Sequence, residues 1–466
     1  MGAGVSNWKL AQAVSSLGQL GTVSGTALDQ ILARRLQDGD PGGHLRRSLS
    51  RFPFPKMAQR VLDAYFVPGG KAAGEPYQKP AMFERIPPRE LTELCIVANF
   101  IEVDLAREGH SNPVAMNYLE KIQLPHLPSI YGAMLAGVGY IVMGAGIPLK
   151  IPQVIECFVN HDSASYPLHV TGADDIVMTF DPREYMEIKL PPLARPHFFA
   201  IVASSTLAMT LLKKTNDHVD GFIIEGPTAG GHNAPPRGKL QLDDAGEPVY
   251  GERDVVDLAK FRSLERPFWL AGGYGSAEKL REALENGAAG IQVGTAFAYC
   301  SESGLREDYK QAVLAKVARG DVEVYTDPLA SPTGFPFKIV QLEGTLSDPA
   351  IFEQRARICD LGFLREAYQT ADGTIDYRCS GEPVSIYLHK GGAIEDTKGR
   401  KCICNALLAA IGYQQVRKGN RIEPGIVTSG NDLSGIRRFV PENGGVYYAA
   451  DVVTNLLRGV TEACLS

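Results

Sequence analysis

No apolar run in the 466 residues reaches the roughly 18 needed to cross a bilayer, and no basic stretch followed by an apolar one opens the chain. A membrane-spanning or exported chain is therefore not expected. Excess positive charge is also missing: 47 Lys and Arg stand against 53 Asp and Glu, a net charge of -6. That balance removes the electrostatic footprint of a nucleic-acid or anionic-membrane binder. Cysteine is sparse, 8 residues without an export signal, and reads as reduced thiols of a cytoplasmic protein. No internal repeat or disordered tail stands out. Met1, Gly2 and Ser6 match a short myristoylation pattern, but the glycines there read better as backbone set beside a ligand.

Glycine, by contrast, is plentiful. The 49 glycines cluster at the ends of apolar runs. The chain is organised around residues 221–233, where the apolar run Phe222, Ile223, Ile224 leads through Glu225 into a loop containing Gly226, Gly230 and Gly231 and ending at His232. An apolar run without alternation suits a strand buried on both faces of a parallel sheet. His232 then falls just past the strand's C-terminal end, where α/β folds keep their chemistry.

The same strand-then-helix rhythm recurs along the chain. Strands are expected at 20–23, 94–98, 140–143, 198–203, 222–224, 267–270 and 291–293, and helices at 113–122, 129–138, 150–159, 206–214, 254–263 and 276–286. We read this as an eightfold alternation, a (β/α)8 barrel whose first strand is mostly absent from the sequence. An inserted hairpin is expected over about 163–196, where apolar and polar residues alternate between turn signals. After residue 340 the rhythm stops, and 341–466 is expected to form a C-terminal mixed subdomain packed on the barrel, with helices near 350–368, 403–412 and 450–457.

Two glycine turns follow the last two strands: Gly272, Gly273 and Gly275 run into a helix start, and Gly294 with Thr295 follows the final strand. Backbone N–H groups at such turns bind phosphate, and after strands 7 and 8 of this barrel type they commonly do. Cys402 and Cys404, with Cys359 and Cys379, lack paired metal-ligand spacing; they read as free thiols, and no metal is expected.

Four segments resemble the nitronate monooxygenase (2-nitropropane dioxygenase) family, FMN-dependent barrels related to the flavin enoyl-acyl-carrier-protein reductases. They are Gly4-Val5-Ser6 with the helix that follows, Glu225-Gly226 with Ala229-Gly230-Gly231-His232, Pro267 through Gly273, and the stretch from Gly287 to Phe297. The resemblance implies that Gly272, Gly273, Gly294 and Thr295 hold the FMN phosphate. It also implies that Asn99 and Gln292 reach the flavin or its ribityl chain, that Gly2, Ala3, Gly4, Gly230 and Gly231 lie against the cofactor, and that His232 is the catalytic imidazole. It further implies an FMN-dependent oxidation of nitronates or nitroalkanes with O2. An NAD(P)H-dependent enoyl-thioester reductase, or a flavin subunit of a fatty-acid or polyketide assembly, is the alternative. A homo-oligomer acting on a small molecule is compatible with either.

The family's histidine is usually followed closely by glycine. Here Asn233, Ala234, Pro235, Pro236 and Arg237 precede Gly238, a stiffer loop carrying a cation.

Overall fold

The structure, a computed structural model, describes residues 2–419, 421–441 and 445–463. Met1 of the opening motif and Cys464 lie outside the described residues. Seven parallel strands form one sheet in chain order: β1 (Gly21–Ser24), β2 (Val114–Leu119), β3 (Tyr140–Gly144), β4 (His197–Val202), β5 (Gly221–Glu225), β6 (Phe268–Ala271) and β7 (Gly290–Gln292). The sheet curls, since residues from all seven strands line one cavity. Its side chains divide by the two-residue period of a strand. Ala115, Val142, Phe199, Ile223 and Ala271 point inward and pack together, whereas Met116, Ile141, Phe198, Phe222 and Leu270 join the large outer core beneath the helices. This is the α/β barrel architecture, open between β1 and β7 among the described residues.

Two elements depart from the reading of the sequence. Residues 94–98 are the middle of an 18-residue helix, Arg89–Ala106, and 114–119 form β2 where a helix was expected. The helix is apolar on nearly every side because it is buried on nearly every side, packed by the helices Trp8–Ser16, Leu28–Gln37 and His126–Leu135. A short window of such a helix cannot be told from a buried strand by periodicity. Contact with His126–Leu135 is close enough that a Cβ on Gly132 would overlap the Ile96 carbonyl oxygen. The exchange leaves the main sheet with seven parallel strands among the described residues.

Residues Ala164–Pro167 and Val177–Phe180 pair antiparallel, and between them Val170–Thr171 adds to a small sheet with Glu366–Gln369 and Ile375–Arg378. The C-terminal third therefore threads into the rest of the molecule: Leu361, Ala367, Tyr377, Leu408 and Ile411 belong to the main core. Of its expected first helix only Pro349–Gln354 forms. The last helix, Ala449–Ala463, packs on both Ala277–Glu285 and Trp8–Ser16. Those helices flank the two edge strands, so it spans the open side of the sheet, and its Val453 and Leu456 face the cavity.

Candidate active site

The C-terminal ends of the strands open into a cavity of about 990 Å³. Register brings three of its groups level: Glu225 pairs with Ala271 across β5 and β6, and Ala271 with Gln292 across β6 and β7. The loop after β5 and the turns after β6 and β7 thus leave the sheet side by side, although they are distant in sequence.

The expected residues converge with two exceptions. Gly2, Ala3, Gly230, Gly231, His232, Gly272, Gly273, Gln292, Gly294 and Thr295 all line the cavity. Gly4 does not. It holds a left-handed turn (φ +65°) under the helix Trp8–Ser16, where a Cβ would overlap the Ile411 side chain. Asn99 is also displaced. Inside its helix it donates to the Cys95 carbonyl at 2.9 Å and accepts from the Tyr118 hydroxyl at 2.9 Å. The inward polar residue on this side is Asn117 of β2, 5% exposed and lining the cavity, with Tyr118 beside it. Reading 113–122 as a helix hid it.

The glycine turns have distinct roles. Gly272 (φ +88°) and Gly273 (φ +75°) hold left-handed backbone that other residues rarely adopt, and Gly272 also lies close to Ala229 N and Thr228 Oγ1. Gly294 has ordinary backbone, but its missing Cβ would point into open space. Thr295 Oγ1 accepts from the Gly430 N–H at 3.0 Å. That bond draws in a loop from the C-terminal third, so Thr428, Ser429, Gly430 and Asp432 line the same cleft. Nothing in the local sequence there marks these residues; only the fold brings them in.

His232 Nε2 lies 2.7 Å from Ser331 Oγ, and Ser331 also receives the Thr333 N–H at 3.2 Å. The imidazole packs edge-on against Phe337. Burial, with the nearby Lys121 charge, pulls its pKa down to about 3, so the ring is neutral at physiological pH. Nδ1 is the ring nitrogen left for a ligand. Burial acts oppositely on Glu225, whose carboxyl is pushed up to about 7. Lys121 donates to the Thr333 carbonyl at 3.3 Å and sits 3.5 Å from the Phe335 ring centroid. Arg237 lines the cavity and is braced on the Ala203 carbonyl at 2.7 Å.

A flavin phosphate fits this donor set. The Thr428 hydroxyl oxygen is buried without a protein partner among the described residues, and Gly294 and Gly231 leave space that a Cβ would enter. Asp432 faces Gly275 and works against a phosphate placed close to that residue. Among the described residues no group of three or more His, Cys, Asp or Glu is placed to hold a metal ion, and no helix is long and apolar enough to cross a membrane.

Parts of the chain are similar to known proteins. Residues 171–326 match the family model described as nitronate monooxygenase. A nitronate monooxygenase of Pseudomonas aeruginosa is 33% identical over 121 residues, 25% of this chain and 32% of that protein. The (3aS,4S,5R,7aS)-5-hydroxy-7a-methyl-1-oxo-octahydro-1H-indene-4-carboxyl-CoA dehydrogenase of Rhodococcus jostii is 32% identical over 97 residues, 21% of this chain and 23% of that one. The matched stretches span about a third or less of these relatives. Among solved structures, FabK from Thermotoga maritima superposes with a TM-score of 0.49 at 15% identity, covering 99% of this chain and 91% of that one.

Proposed function

We propose that the chain, whose residues 171–326 match the nitronate monooxygenase family model, is an FMN-dependent oxidoreductase that oxidises nitronates with O2. The observation that carries this reading is the neutral imidazole of His232, anchored by Ser331 on the rim of a glycine-walled cleft. Bound FMN would supply the electron transfer and the reaction with O2.

The residues of the chain do the rest. Gly272, Gly273, Gly294, Thr295 and Thr428 would hold the phosphate, while Asn117, Gln292, Gly230 and Gly231 would meet the ribityl chain and ring. Gly2 and Ala3 would close the cleft from the other side. His232 offers one hydrogen bond at Nδ1 to a substrate oxygen. Whether it donates or accepts there is set by the direction of the Ser331 bond, because a neutral imidazole carries one N–H. Arg237 on the cleft wall and the Lys121 charge near His232 offer an anion cationic partners, set against the Asp254 and Asp432 carboxylates that line the same cleft.

The low basicity of His232 selects between two substrate forms. An imidazole held near 3 removes a carbon-bound proton poorly, since general-base catalysis works best with a pKa near the working pH. The anion already formed, the nitronate, is the better substrate. Two measurements test this: the absorption spectrum of the purified protein, and oxygen uptake with a nitronate and with its neutral nitroalkane at one pH. A flavin spectrum with faster uptake on the nitronate is expected. A colourless protein that FMN cannot reconstitute overturns the proposal.

The reach of the cavity favours a second reading. Beyond His232 it continues along Phe363, Leu364, Ile403 and Leu407, an apolar wall longer than a small nitronate uses. An enoyl-thioester reductase taking hydride from a nicotinamide would fill it. Rapid bleaching of the flavin on anaerobic mixing with NADH or NADPH would favour that activity.

A further inference from the structure

Four cysteines meet behind the apolar wall of the cavity. Cys359 comes from the connector after the helix Pro349–Gln354, Cys379 directly follows the strand Ile375–Arg378, and Cys402 and Cys404 open the helix Ile403–Ala410. All four line one void of about 10 Å³, with Arg365 and Gly381. None of the four is in a disulfide. They are not equivalent. Cys359 and Cys379 are half-buried and each thiol shifts the titration of the other, while Cys402 is buried and accepts from the Asn405 amide at 3.4 Å.

We propose that Cys359 and Cys379 are a redox-active dithiol that closes to a disulfide under a hydroperoxide. Cys379 and the Arg365 guanidinium, which line the same void, favour the thiolate of Cys359 against the cost of its burial, and the Cys359 pKa is lowered. Cys359 and burial push Cys379 up, so one sulfur is poised to attack and the other to resolve. Cys404, raised by burial, stays a thiol.

The chemistry balances in two steps. The Cys359 thiolate attacks the terminal hydroperoxide oxygen; an S–O bond forms, the O–O bond breaks, and the alkoxide leaves as an alcohol after taking a proton. The Cys379 sulfur then attacks the sulfenic sulfur of Cys359. An S–S bond forms, the S–O bond breaks, and the hydroxide departs as water with the Cys379 proton. Two thiols and one hydroperoxide give one disulfide, one alcohol and one water.

The bridge would enclose the hairpin formed by Glu366–Gln369 and Ile375–Arg378, which Val170–Thr171 ties to the barrel. Leu364, Ile403 and Cys404 line both the void and the large cavity. Closing the pair would therefore act on the wall of the proposed substrate site, although the proposal itself does not depend on what that site binds.

The test uses the intact protein. It is treated with tert-butyl hydroperoxide, free thiols are alkylated, and the peptides are mapped by mass spectrometry. A Cys359–Cys379 cross-link lacking two hydrogens, reversed by dithiothreitol, is expected, with Cys95 and Cys300 still alkylated after denaturation. In Cys379→Ser the Cys359 sulfenic acid should persist and be captured by dimedone. Cys359 and Cys379 remaining reduced under conditions that oxidise a surface thiol would overturn the proposal. So would a cross-link from either residue to Cys404 instead, or stoichiometric zinc that shields all four sulfurs.

Discussion

The Nε2 atom of His232 and the Oγ atom of Ser331 are 2.7 Å apart, though 99 positions separate them in the chain. The serine sits beyond the last strand of the sheet and the histidine in the loop after β5. Replacing Ser331 with Ala removes the group that orients the imidazole and leaves Nε2 without its partner. Turnover should fall by about ten-fold, the cost of roughly one hydrogen bond, with flavin content unchanged. An equal fall in bound flavin would show that Ser331 serves the cleft rather than the ring.

His232→Asn keeps a polar side chain of smaller size in the same place. The protein should still bind FMN, and turnover per bound flavin should drop by about 10²-fold or more if the imidazole meets the reacting group. Loss of flavin with unchanged turnover per flavin would remove His232 from the chemistry.

Gly294 and Gly272 should fail differently. At Gly294 the backbone is ordinary and a Cβ meets only open space, so Gly294→Val should fold normally and lose flavin by filling the cleft. Gly272 has φ +88°, and its substitution by Val should also lower stability, by about 1–2 kcal/mol from the left-handed backbone alone. Flavin content and thermal unfolding of the two variants, read side by side, check the distinction.

Glu225 links the cleft to stability through pH. Burial raises its folded pKa to about 7 from the ordinary 4.5, so the folded state prefers the protonated carboxyl. Its contribution is fully present below pH 4.5 and is lost as pH rises through about 7. Unfolding measured across that range should show the wild type losing on the order of 2–3 kcal/mol relative to Glu225→Gln. A constant difference between the two proteins would contradict the burial of this carboxyl.

Asn99 and Asn117 offer a test of the proposal that Asn117, and not Asn99, meets the cofactor. Asn99→Ala breaks buried hydrogen bonds to Cys95 and Tyr118 and should cost about 1–3 kcal/mol of stability, with a smaller effect on flavin affinity. Asn117→Ala should do the reverse, weakening FMN binding while the fold is largely retained. Dissociation constants for FMN, set beside unfolding midpoints, separate the two.

The barrel class, the loop ending at His232 and both late glycine turns were legible in the sequence. Each depends on local chemistry: apolar runs long enough for a strand, glycines where backbone must turn, and a small-residue loop after Glu225. The same local view mistook the centre of Arg89–Ala106 for a strand and β2 for a helix, because an element buried on all sides shows no periodic polar face. It therefore chose Asn99 over Asn117. What only the tertiary structure decided is everything held by long-range packing: the serine behind His232, the Thr428 loop drawn over the glycine turns by Thr295, and the depressed basicity of the imidazole itself. A sequence names a histidine, but burial by residues far along the chain sets the charge that it carries.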